Sequence, residues 1–508
     1  MNKLLILFSI IIAQLSVQAQ VRWSEIFEGS ESDAQFLIAN NHQKVFLLNK
    51  KSGFLFSKDK WMLNVLDEKT LQRTRENHIV FADESEQFDK VLSLKSKNYI
   101  ITESYRKSIK TLFAYKLDTA GSASKLDGAL AQISNLDFRN DVLFHALNST
   151  DTSMFCVYHV LPDKSKKTLH LSRFDDKLRQ VNTYDVELPY GEMEFHFLDA
   201  ISTQNELALL VKVGDDDKLR LFTNRTFSYF IYKLNWNTGE TTNTKVNLKS
   251  RSVIIGSAFF TDKNDNIGIC GFQKFFTDKN DNVTSPFITQ FHNTGASRNV
   301  EDYTDDYAQP SFQMNLIKDD NPYEYIPLIA RTDKDGTVTI VNEKFYLETS
   351  CITDMRSGLQ RCNYYYHFDN IEAYTFLPTL EAKKRFVFEK RQISINDDGY
   401  YSGTTSGYYH NKYFFVYADN KKNEPYYNKP ALAAANDNLH YMNSPRKSNV
   451  VLATYDQNGI AQRKVLFNNA ETKTLFVAQK TLFTNDGKII FYSKRNNKFR
   501  IGMVELTE

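Results

Sequence analysis

A strand-turn-strand unit that recurs along the chain constrains the fold more than any other feature. Its clearest copy is SYFIYKLNWNTGETTNTKVNL at residues 228–248, where an alternating apolar run turns at Asn237-Thr238-Gly239 into a polar alternating run. Alternation with a period of two places one side of each strand against a packed layer. Asx residues near a Gly suit a tight hairpin, because Gly accepts a positive φ and the Asx side chain caps the turn. The unit is therefore predicted to be a β-hairpin.

Copies of this hairpin occur at regular spacing. Further turns are predicted after Asp67 and at residues 118–121, 175–177, 293–295 and 456–459. The first five units are separated by 51, 57, 60 and 57 residues, counted from Asp67 to His292. The next interval, from His292 to Asp456, is 164 residues, which fits two enlarged units with a turn near Pro378.

The residues between the hairpins supply further strands. Two short strand candidates precede a hairpin, as in VLSLKS with NYIITESY, FLIANN with VFLLNK, and IPLIARTD with TVTIVNEK. Four short antiparallel strands per unit of about 40–60 residues are the signature of a β-propeller blade. Long helical patterns are absent from the sequence, which excludes α/β barrels and doubly wound sheets.

The two ends of the chain are predicted to share one blade. The C-terminal stretch from residue 475 offers three strand candidates, and VRWSEIFEG at residues 21–29 offers a single strand. Pairing them would complete a blade and join the ring. We predict an all-β propeller of eight blades, with seven as the alternative if residues 300–400 hold only one unit. A tandem of β-sandwiches is the rival fold, and it would require linkers that the sequence does not show.

Part of the sequence resembles a known group of proteins. FFVYADNKKN at residues 414–423, the hairpin VVLATYDQNGIAQRKVLF and the final IIFYSKRNNKFRIGMVEL together resemble exported β-propeller-like proteins of Bacteroidetes-type bacteria. The resemblance covers residues 310–508, and the rest of the chain only through the spacing of its blades. It implies a propeller fold and export, and it implies no assigned activity.

The N-terminus reads as a secretory signal peptide. Lys3 precedes the apolar run LLILFSIIIAQL, and Val17-Gln18-Ala19 provides the small residues at which a signal peptidase cuts. The run is too short to span a bilayer comfortably, and no second run of spanning length follows. We predict a signal peptide at residues 1–19, a single β-propeller domain at residues 20–508, and no membrane span. The expected location is the periplasm, the cell surface or the extracellular space.

Charge and cysteine content narrow the possible partners. Lys and Arg total 63 against 61 acidic residues, and the two signs are interspersed, so the basic face that nucleic acid requires is not expected. Cys351 and Cys362 are close enough to form a disulfide in an oxidising compartment. Cys156 and Cys270 lie in strand-like apolar runs and are predicted core residues. No C-x-x-C pair occurs, and no metal or cofactor is expected.

The segment 399–428 concentrates tyrosines and ends in a polar loop. Aromatic faces beside Asp and Asn suit a groove for a glycan or a peptide. Its candidate binding residues are Tyr401, Tyr408, Tyr409, His410, Asp419, Asn420, Asn423, Tyr426 and Tyr427. In the alternative interpretation, which we favour, alternate tyrosines fill the core between blades and the Asx residues cap a turn. Residues 364–367, Tyr-Tyr-Tyr-His, form a second candidate surface in the longest insertion.

Motifs for chemistry are absent from the sequence. It contains no G-x-S-x-G or H-E-x-x-H pattern, and His145, His159, His170 and His196 read as core or surface residues. The twin FFTDKNDN segments, within residues 259–268 and 275–284, resemble half of a calcium loop. They lack its Gly and its final Glu, so polar hairpin loops are predicted.

The sequence therefore predicts a binding or scaffolding module rather than an enzyme. It would recognise a protein or a glycan through loops on one face of the ring, and no catalytic residue is assigned. One alternative is a carbohydrate hydrolase or lyase whose carboxylates, drawn from separate blades, meet near the central channel. The other alternative is a structural component of the cell envelope.

Overall fold

Among the described residues, 36 strands form eight antiparallel sheets, and these are the blades of a β-propeller. The computed structural model describes residues 21–28, 34–38, 44–51, 60–83, 85–95, 97–134, 143–161, 167–189, 194–214, 227–248, 252–262, 264–276, 282–291, 297–299, 324–353, 359–379, 382–427, 439–456 and 461–506. The predicted signal peptide lies outside them. Within them, no helix is long and apolar enough to cross a membrane.

The N-terminal strands β1 (Arg22–Trp23) and β2 (Phe27–Glu28) join the last blade, and the other strands form blades in chain order. Blade 1 contains β3 (Ala34–Ile38), β4 (Lys44–Lys51), β5 (Lys60–Asp67) and β6 (Arg73–Ile79). Blade 2 contains β7 (Glu86–Leu94), β8 (Lys97–Arg106), β9 (Ile109–Leu117), β10 (Ala123–Lys125) and β11 (Ala131–Ile133). Blade 3 contains β12 (His145–Asn148), β13 (Met154–Val160), β14 (Lys167–Asp175) and β15 (Gln180–Leu188). Blade 4 contains β16 (Glu194–Ser202), β17 (Glu206–Gly214), β18 (Phe227–Asn235) and β19 (Thr241–Lys245).

The second half of the ring continues the pattern with larger insertions. Blade 5 contains β20 (Val253–Thr261), β21 (Ile267–Phe276), β22 (Asn282–Phe291) and β23 (Ser297–Asn299). Blade 6 contains β24 (Glu324–Thr332), β25 (Val338–Thr353), β26 (Gln360–Phe376), β27 (Ala382–Phe388) and β28 (Gln392–Ile395). Blade 7 contains β29 (Thr404–Tyr409), β30 (Lys412–Asn420), β31 (Ser448–Asp456) and β32 (Ala461–Asn468). Blade 8 contains β33 (Leu475–Phe476), β34 (Leu482–Phe483), β35 (Lys488–Arg495) and β36 (Lys498–Glu505). Short 3-10 helices occupy Lys421–Tyr426, Pro445–Lys447 and Ala478–Lys480.

The chain ends close the ring, as predicted. β1 and β2 pair with β36, with Arg22 opposite Met503 and Phe27 opposite Phe499. Trp23 lies opposite Gly502, and a Cβ atom on Gly502 would come within 2.7 Å of the Trp23 ring. Glycine at this position therefore lets the indole lie flat on the C-terminal strand, and the eight-blade prediction is confirmed.

The core lies between the blades. Because side chains alternate along a strand, each blade presents one apolar side to each neighbour. In blade 1, Val45 and Leu47 pack towards blade 8, whereas Phe46 and Leu48 pack towards blade 2. The described residues contain eight such clusters, one for every junction including that between blades 8 and 1. Each large side chain buried there contributes about 1.5–3 kcal/mol, so the junctions hold the ring together.

The recurring hairpins join the third and fourth strands of their blades. Asp67 Oδ1 accepts from the Thr70 N–H at 2.9 Å, and Asn235 Oδ1 accepts from the Asn237 N–H at 2.9 Å. Asp118 and Asp175 cap the corresponding turns of blades 2 and 3 in the same way. Most of the two turns predicted at residues 293–295 and 456–459 lies outside the described residues.

The loops fall on two faces of the ring. The loops that join strands one to two and three to four lie on one face, which we call the hairpin face. The loops that join strands two to three, and the segments that lead to the next blade, lie on the opposite face, which we call the connector face. This division follows from antiparallel pairing in chain order.

Candidate functional site

The structure does not bring the nine candidate residues of the tyrosine-rich segment together. β30 runs from Lys412 to Asn420 and spans roughly 26 Å at about 3.3 Å per residue. Tyr408, Tyr409 and His410 lie at its hairpin-face end. The remaining six candidates lie at the connector-face end, and they are Tyr401, Asp419, Asn420, Asn423, Tyr426 and Tyr427.

The Asx residues of this segment organise a turn. Asn423 Nδ2 donates to Asp419 Oδ1 at 2.8 Å, and Asn423 Oδ1 accepts from the His440 N–H at 2.9 Å. Asn420 Oδ1 accepts from the Lys422 N–H and so caps the 3-10 helix. Asp419 is buried, which raises the pKa of its carboxyl group. These contacts fit the interpretation of the segment as turn caps.

The tyrosines of this segment are largely packing residues. Tyr427 is buried in the cluster between blades 6 and 7, and Tyr408 packs against the same cluster. The Tyr408 hydroxyl donates to Asp333 Oδ1 at 3.1 Å. Tyr409 packs against the cluster between blades 7 and 8, and Tyr401 against the cluster between blades 8 and 1. The segment therefore contributes to three junctions rather than to one groove.

The second candidate surface, at residues 364–367, belongs to a long hairpin of blade 6. β25 and β26 have 16 and 17 residues and stay paired up to Thr353 and Gln360. β24 pairs with β25 only as far as Phe345. The hairpin therefore extends beyond the blade on the connector face. We call residues 346–353 and 359–368 the blade 6 arm.

The blade 6 arm exposes large apolar side chains. Ile352 is 71% exposed and Leu359 is 64% exposed. Leu347 and Tyr364 are also exposed, as is Ile395 on β28, which pairs with the arm. The strand register places Ile352 and Ile395 on one face of the arm, and Leu347 and Tyr364 on the other. Soluble proteins seldom expose several large apolar residues on one short hairpin unless it contacts another molecule. The arm is therefore the candidate interface.

Covalent and aromatic contacts hold the arm in shape. A disulfide joins Cys351 to Cys362, which lie directly opposite each other on the two strands. The Tyr346 and His367 rings stack with centroids 3.9 Å apart. The Tyr366 hydroxyl donates to Asp398 Oδ1 at 2.7 Å. A preorganised hairpin loses little conformational entropy when it binds, which favours affinity.

A buried ion pair anchors the base of the arm. Lys390 Nζ lies 2.5 Å from Glu343 Oε1, and both side chains are buried. Lys390 Nζ also donates to the Phe368 carbonyl at 3.1 Å. Glu343 in turn accepts from the N–H and the hydroxyl of Thr404, at the start of blade 7. The pair therefore fixes the arm to both blades 6 and 7.

A row of polar residues on blade 3 was not anticipated as a group. His170 Nδ1 lies 2.6 Å from Asp185 Oδ1, and its Nε2 lies 3.4 Å from Ser172 Oγ. The order of contacts is that of a hydrolase triad. Ser172 is buried, however, on the side of blade 3 that faces blade 2. A substrate carbonyl could not reach Ser172 while the two blades are packed.

The histidine next to this row is also buried. His159 lies opposite His170 with ring centroids 5.0 Å apart, and burial lowers the pKa of His159 to about 4. A neutral imidazole at physiological pH is what a core position requires. His170 and Asp185 lie opposite each other in one hairpin, so their pairing follows from the register of that hairpin alone. This pairing is the sequence signal that could have revealed the row.

The structure places the other predicted residues as follows. Cys156 and Cys270 are unpaired and buried, and burial raises the pKa of the Cys156 thiol to about 12. Asp262, in the first FFTDKNDN segment, accepts from the N–H groups of Asn264 and Asn266 in the turn between β20 and β21. Part of the second segment, residues 277–281, lies outside the described residues. Within the described part of the chain, no cluster of three or more His, Cys, Asp or Glu could hold a metal ion.

Comparison with known proteins finds structural similarity at low sequence identity. No protein-family model and no curated protein matches the chain. The β-propeller domain of the Trilobed protease from Pyrococcus furiosus aligns over 87% of this chain and 97% of its own, with 12% identity and a TM-score of 0.37. Drosophila Semaphorin 2a aligns over 96% of this chain and 75% of its own, with 7% identity and a TM-score of 0.35. Prolyl oligopeptidase B from Galerina marginata aligns over 94% of this chain and 55% of its own, with 8% identity and a TM-score of 0.39.

Proposed function

We propose that this protein is an exported binding module that recognises a protein partner through the blade 6 arm. The observation that carries the proposal is the set of exposed apolar side chains on a hairpin that a disulfide holds in shape. The N-terminal pattern of residues 1–19 supports export. The disulfide is a second support, because such bonds persist in oxidising compartments.

A protein suits the arm better than a glycan does. Ile352, Leu359 and Leu347 are aliphatic and offer no hydrogen-bonding groups to sugar hydroxyls. Beyond Phe345, β25 pairs on one side only among the described residues, so a partner strand could add to its open edge. Burial of the aliphatic side chains would supply affinity, and backbone pairing would supply orientation.

The test compares cross-linking at two exposed positions of the exported protein. A photoreactive amino acid at Ile395, which lies on the same face of the arm as Ile352, is expected to capture a specific protein in cells of the natural host. The same group at Val80, which is 82% exposed on blade 1, is expected not to capture it. The captured protein, once purified, provides the ligand for affinity measurements.

Substitution at the arm then measures its contribution. The double variant I352D/L359D is expected to weaken partner binding by at least about tenfold, because desolvating two carboxylates opposes apolar burial. Its melting temperature should stay close to that of the parent, since both side chains are exposed. The matched control V80D is expected to bind normally. Equal affinity of I352D/L359D and the parent would contradict the proposal, as would binding on a glycan array that the double variant retains.

The alternative of a carbohydrate-active enzyme lacks a comparable observation. Such an enzyme needs two carboxylates that face one sugar across a few ångströms. One cavity among the described residues is lined by several carboxylates. It lies near the rim of the ring, beside β6 and the N-terminal strands, rather than at the central channel. Hydrolysis of any glycan in a panel by the exported protein would support this alternative.

A further inference from the structure

We infer that a second copy of this chain pairs with the open edge of the blade 6 arm, so that two arms form one antiparallel sheet across a two-fold axis. This inference rests on the proposed function, because it names the protein partner of the same arm. The open edge is residues 346–353 of β25, and among the described residues only β26 pairs with it. A strand that pairs with its own copy makes a symmetric interface, and two-fold dimers are the commonest oligomers.

The open edge lacks the charges that protect the neighbouring sheet edges. An unpaired strand edge attracts further strands, and proteins block it with charged residues, lysine above all, or with proline. The outer strands of blades 6 and 7, β27 and β32, carry such residues, namely Lys383, Lys384, Arg385, Arg463 and Lys464. Residues 346–353 read YLETSCIT, in which Glu348 is the single charged residue and proline is absent. This edge is therefore suited to accept a strand.

Two registers pair the longest stretch of the open edge without overlapping β24. Glu324 of β24 lies opposite Phe345, so a second copy can pair only from residue 346 outwards. A two-fold axis through Thr349 pairs residues 346–352 of the two copies, and an axis through Ser350 pairs residues 347–353. In both registers, paired residues of the two copies lie on the same face of the joint sheet.

The side-chain pairs favour the axis through Thr349. Tyr346 then lies opposite Ile352 of the second copy, and a pair of an aromatic and a β-branched residue stabilises a sheet. Ile352 is 71% exposed in the single chain, so this contact buries it. Glu348 lies opposite Ser350 of the second copy, whose hydroxyl can donate to the carboxylate. With the axis through Ser350, Glu348 would instead lie against Ile352 and would lose water without gaining a donor.

The paired backbones supply the contacts of a specific interface. Antiparallel strands exchange two hydrogen bonds at every second pair, so residues 346–352 of the two copies would form about six to eight. Specific interfaces contain about 5–15 direct hydrogen bonds. The disulfide between Cys351 and Cys362 already holds the edge in its paired form, so association costs less conformational entropy.

Sedimentation velocity of the purified exported protein tests the inference in the absence of any host protein. The parent is expected to shift from monomer to dimer as its concentration rises. T349K and T349E should each weaken dimerisation at least about tenfold, because the axis places two like charges opposite each other. An equimolar mixture of the two variants should recover dimerisation, since lysine then lies opposite glutamate. The matched control V80K, at a residue that is 82% exposed on blade 1, is expected to dimerise like the parent.

Disulfide trapping tests the register. T349C is expected to form a covalent dimer under mild oxidation, because directly paired Cα atoms lie about 4.5–5.5 Å apart. S350C is expected not to form one, because residues 350 of the two copies are diagonal and lie about 7–8 Å apart. A covalent dimer of S350C in place of T349C would overturn the inferred register.

Failure of the inference is distinguishable from failure of the proposed function. A parent that stays monomeric at every concentration would overturn the inference, as would T349K and T349E that each dimerise like the parent. If a monomeric parent still captures a different protein through Ile395, the proposed function stands and the inference fails. If it captures no protein, both fail. A photoreactive amino acid at Thr349 that links to residues 300–323 of the same chain, which lie outside the described residues, would also overturn the inference.

Discussion

Replacing Lys390 with methionine is expected to destabilise the protein by about 3–5 kcal/mol, because it leaves the Glu343 carboxylate buried without its partner. Methionine keeps most of the length of the lysine side chain, so little packing is lost. The substitution removes the positive charge of Lys390, which is 1% exposed between blades 6 and 7. It also removes the donor to the Phe368 carbonyl. Denaturant unfolding followed by tryptophan fluorescence measures the change.

Two further variants serve as comparisons in this experiment. One removes both charges of the pair, and the other removes an exposed charge elsewhere. K390M/E343Q removes both charges, and it is expected to recover part of the stability that K390M loses, because an amide costs less to bury than a carboxylate. K334M, at an exposed lysine in the β24–β25 turn, is expected to change stability by no more than about 0.5 kcal/mol. A loss below about 1 kcal/mol in K390M would show that the pair does not anchor the arm.

Replacing Gly256 with alanine is expected to cost about 3 kcal/mol. Gly256 lies on β20, where blade 5 packs closely against β24 of blade 6. A Cβ atom at this position would lie 2.0 Å from the Tyr325 carbonyl oxygen, which is backbone and cannot rotate away. The two blades must move apart to relieve that overlap. Overpacking of this kind typically costs about 1–3 kcal/mol, and a clash with backbone belongs at the upper end of that range. Equilibrium unfolding again provides the measurement.

A second glycine provides the matched control. Gly128 has a φ of +82°, and a Cβ atom there would meet no other atom within 4 Å. G128A should therefore pay only the backbone strain of about 1–2 kcal/mol. G256A should be the less stable variant if close packing of the inner strands holds the blades together. The reverse order would contradict the described packing of blades 5 and 6.

The architecture was predictable because its determinants are local and repeated. Asp67, Asp118, Asp175 and Asn235 cap turns through their own backbone neighbours, so each hairpin is visible without knowledge of the rest of the fold. The spacing between hairpins then gives the number of blades. The closing blade follows from strand patterns at the two ends, and the pairing of β1 with β36 confirms it.

The sites were less predictable because they depend on which residues meet across strands. Tyr409 and Asn420 are 11 positions apart, yet β30 carries them to opposite faces of the ring. The cavity beside β6 and the N-terminal strands brings together Glu25, Asn49 and Glu76 from three separate segments. No local pattern marks that arrangement. The blade 6 arm was partly visible, since residues 364–367 and the cysteine pair lie in the longest insertion, but its exposed aliphatic residues could be located only after the strands were placed.

The ring closed by its two ends is the claim on which the junction between blades 8 and 1 depends, and one disulfide-trapping measurement tests it. Glu28 and Lys498 are opposite each other in β2 and β36, and both side chains are exposed. Directly paired Cα atoms lie about 4.5–5.5 Å apart, within the range that a disulfide spans.

The variant E28C/K498C is therefore predicted to form a cross-link between the N-terminal and C-terminal strands, detected by mass spectrometry of an unreduced digest. E28C/R500C is predicted not to form it, because diagonal positions on paired strands lie about 7–8 Å apart, beyond the range that a disulfide spans. Cross-linking in the first variant alone would support closure between β2 and β36. No cross-link in E28C/K498C, or equal yields in the two variants, would contradict it.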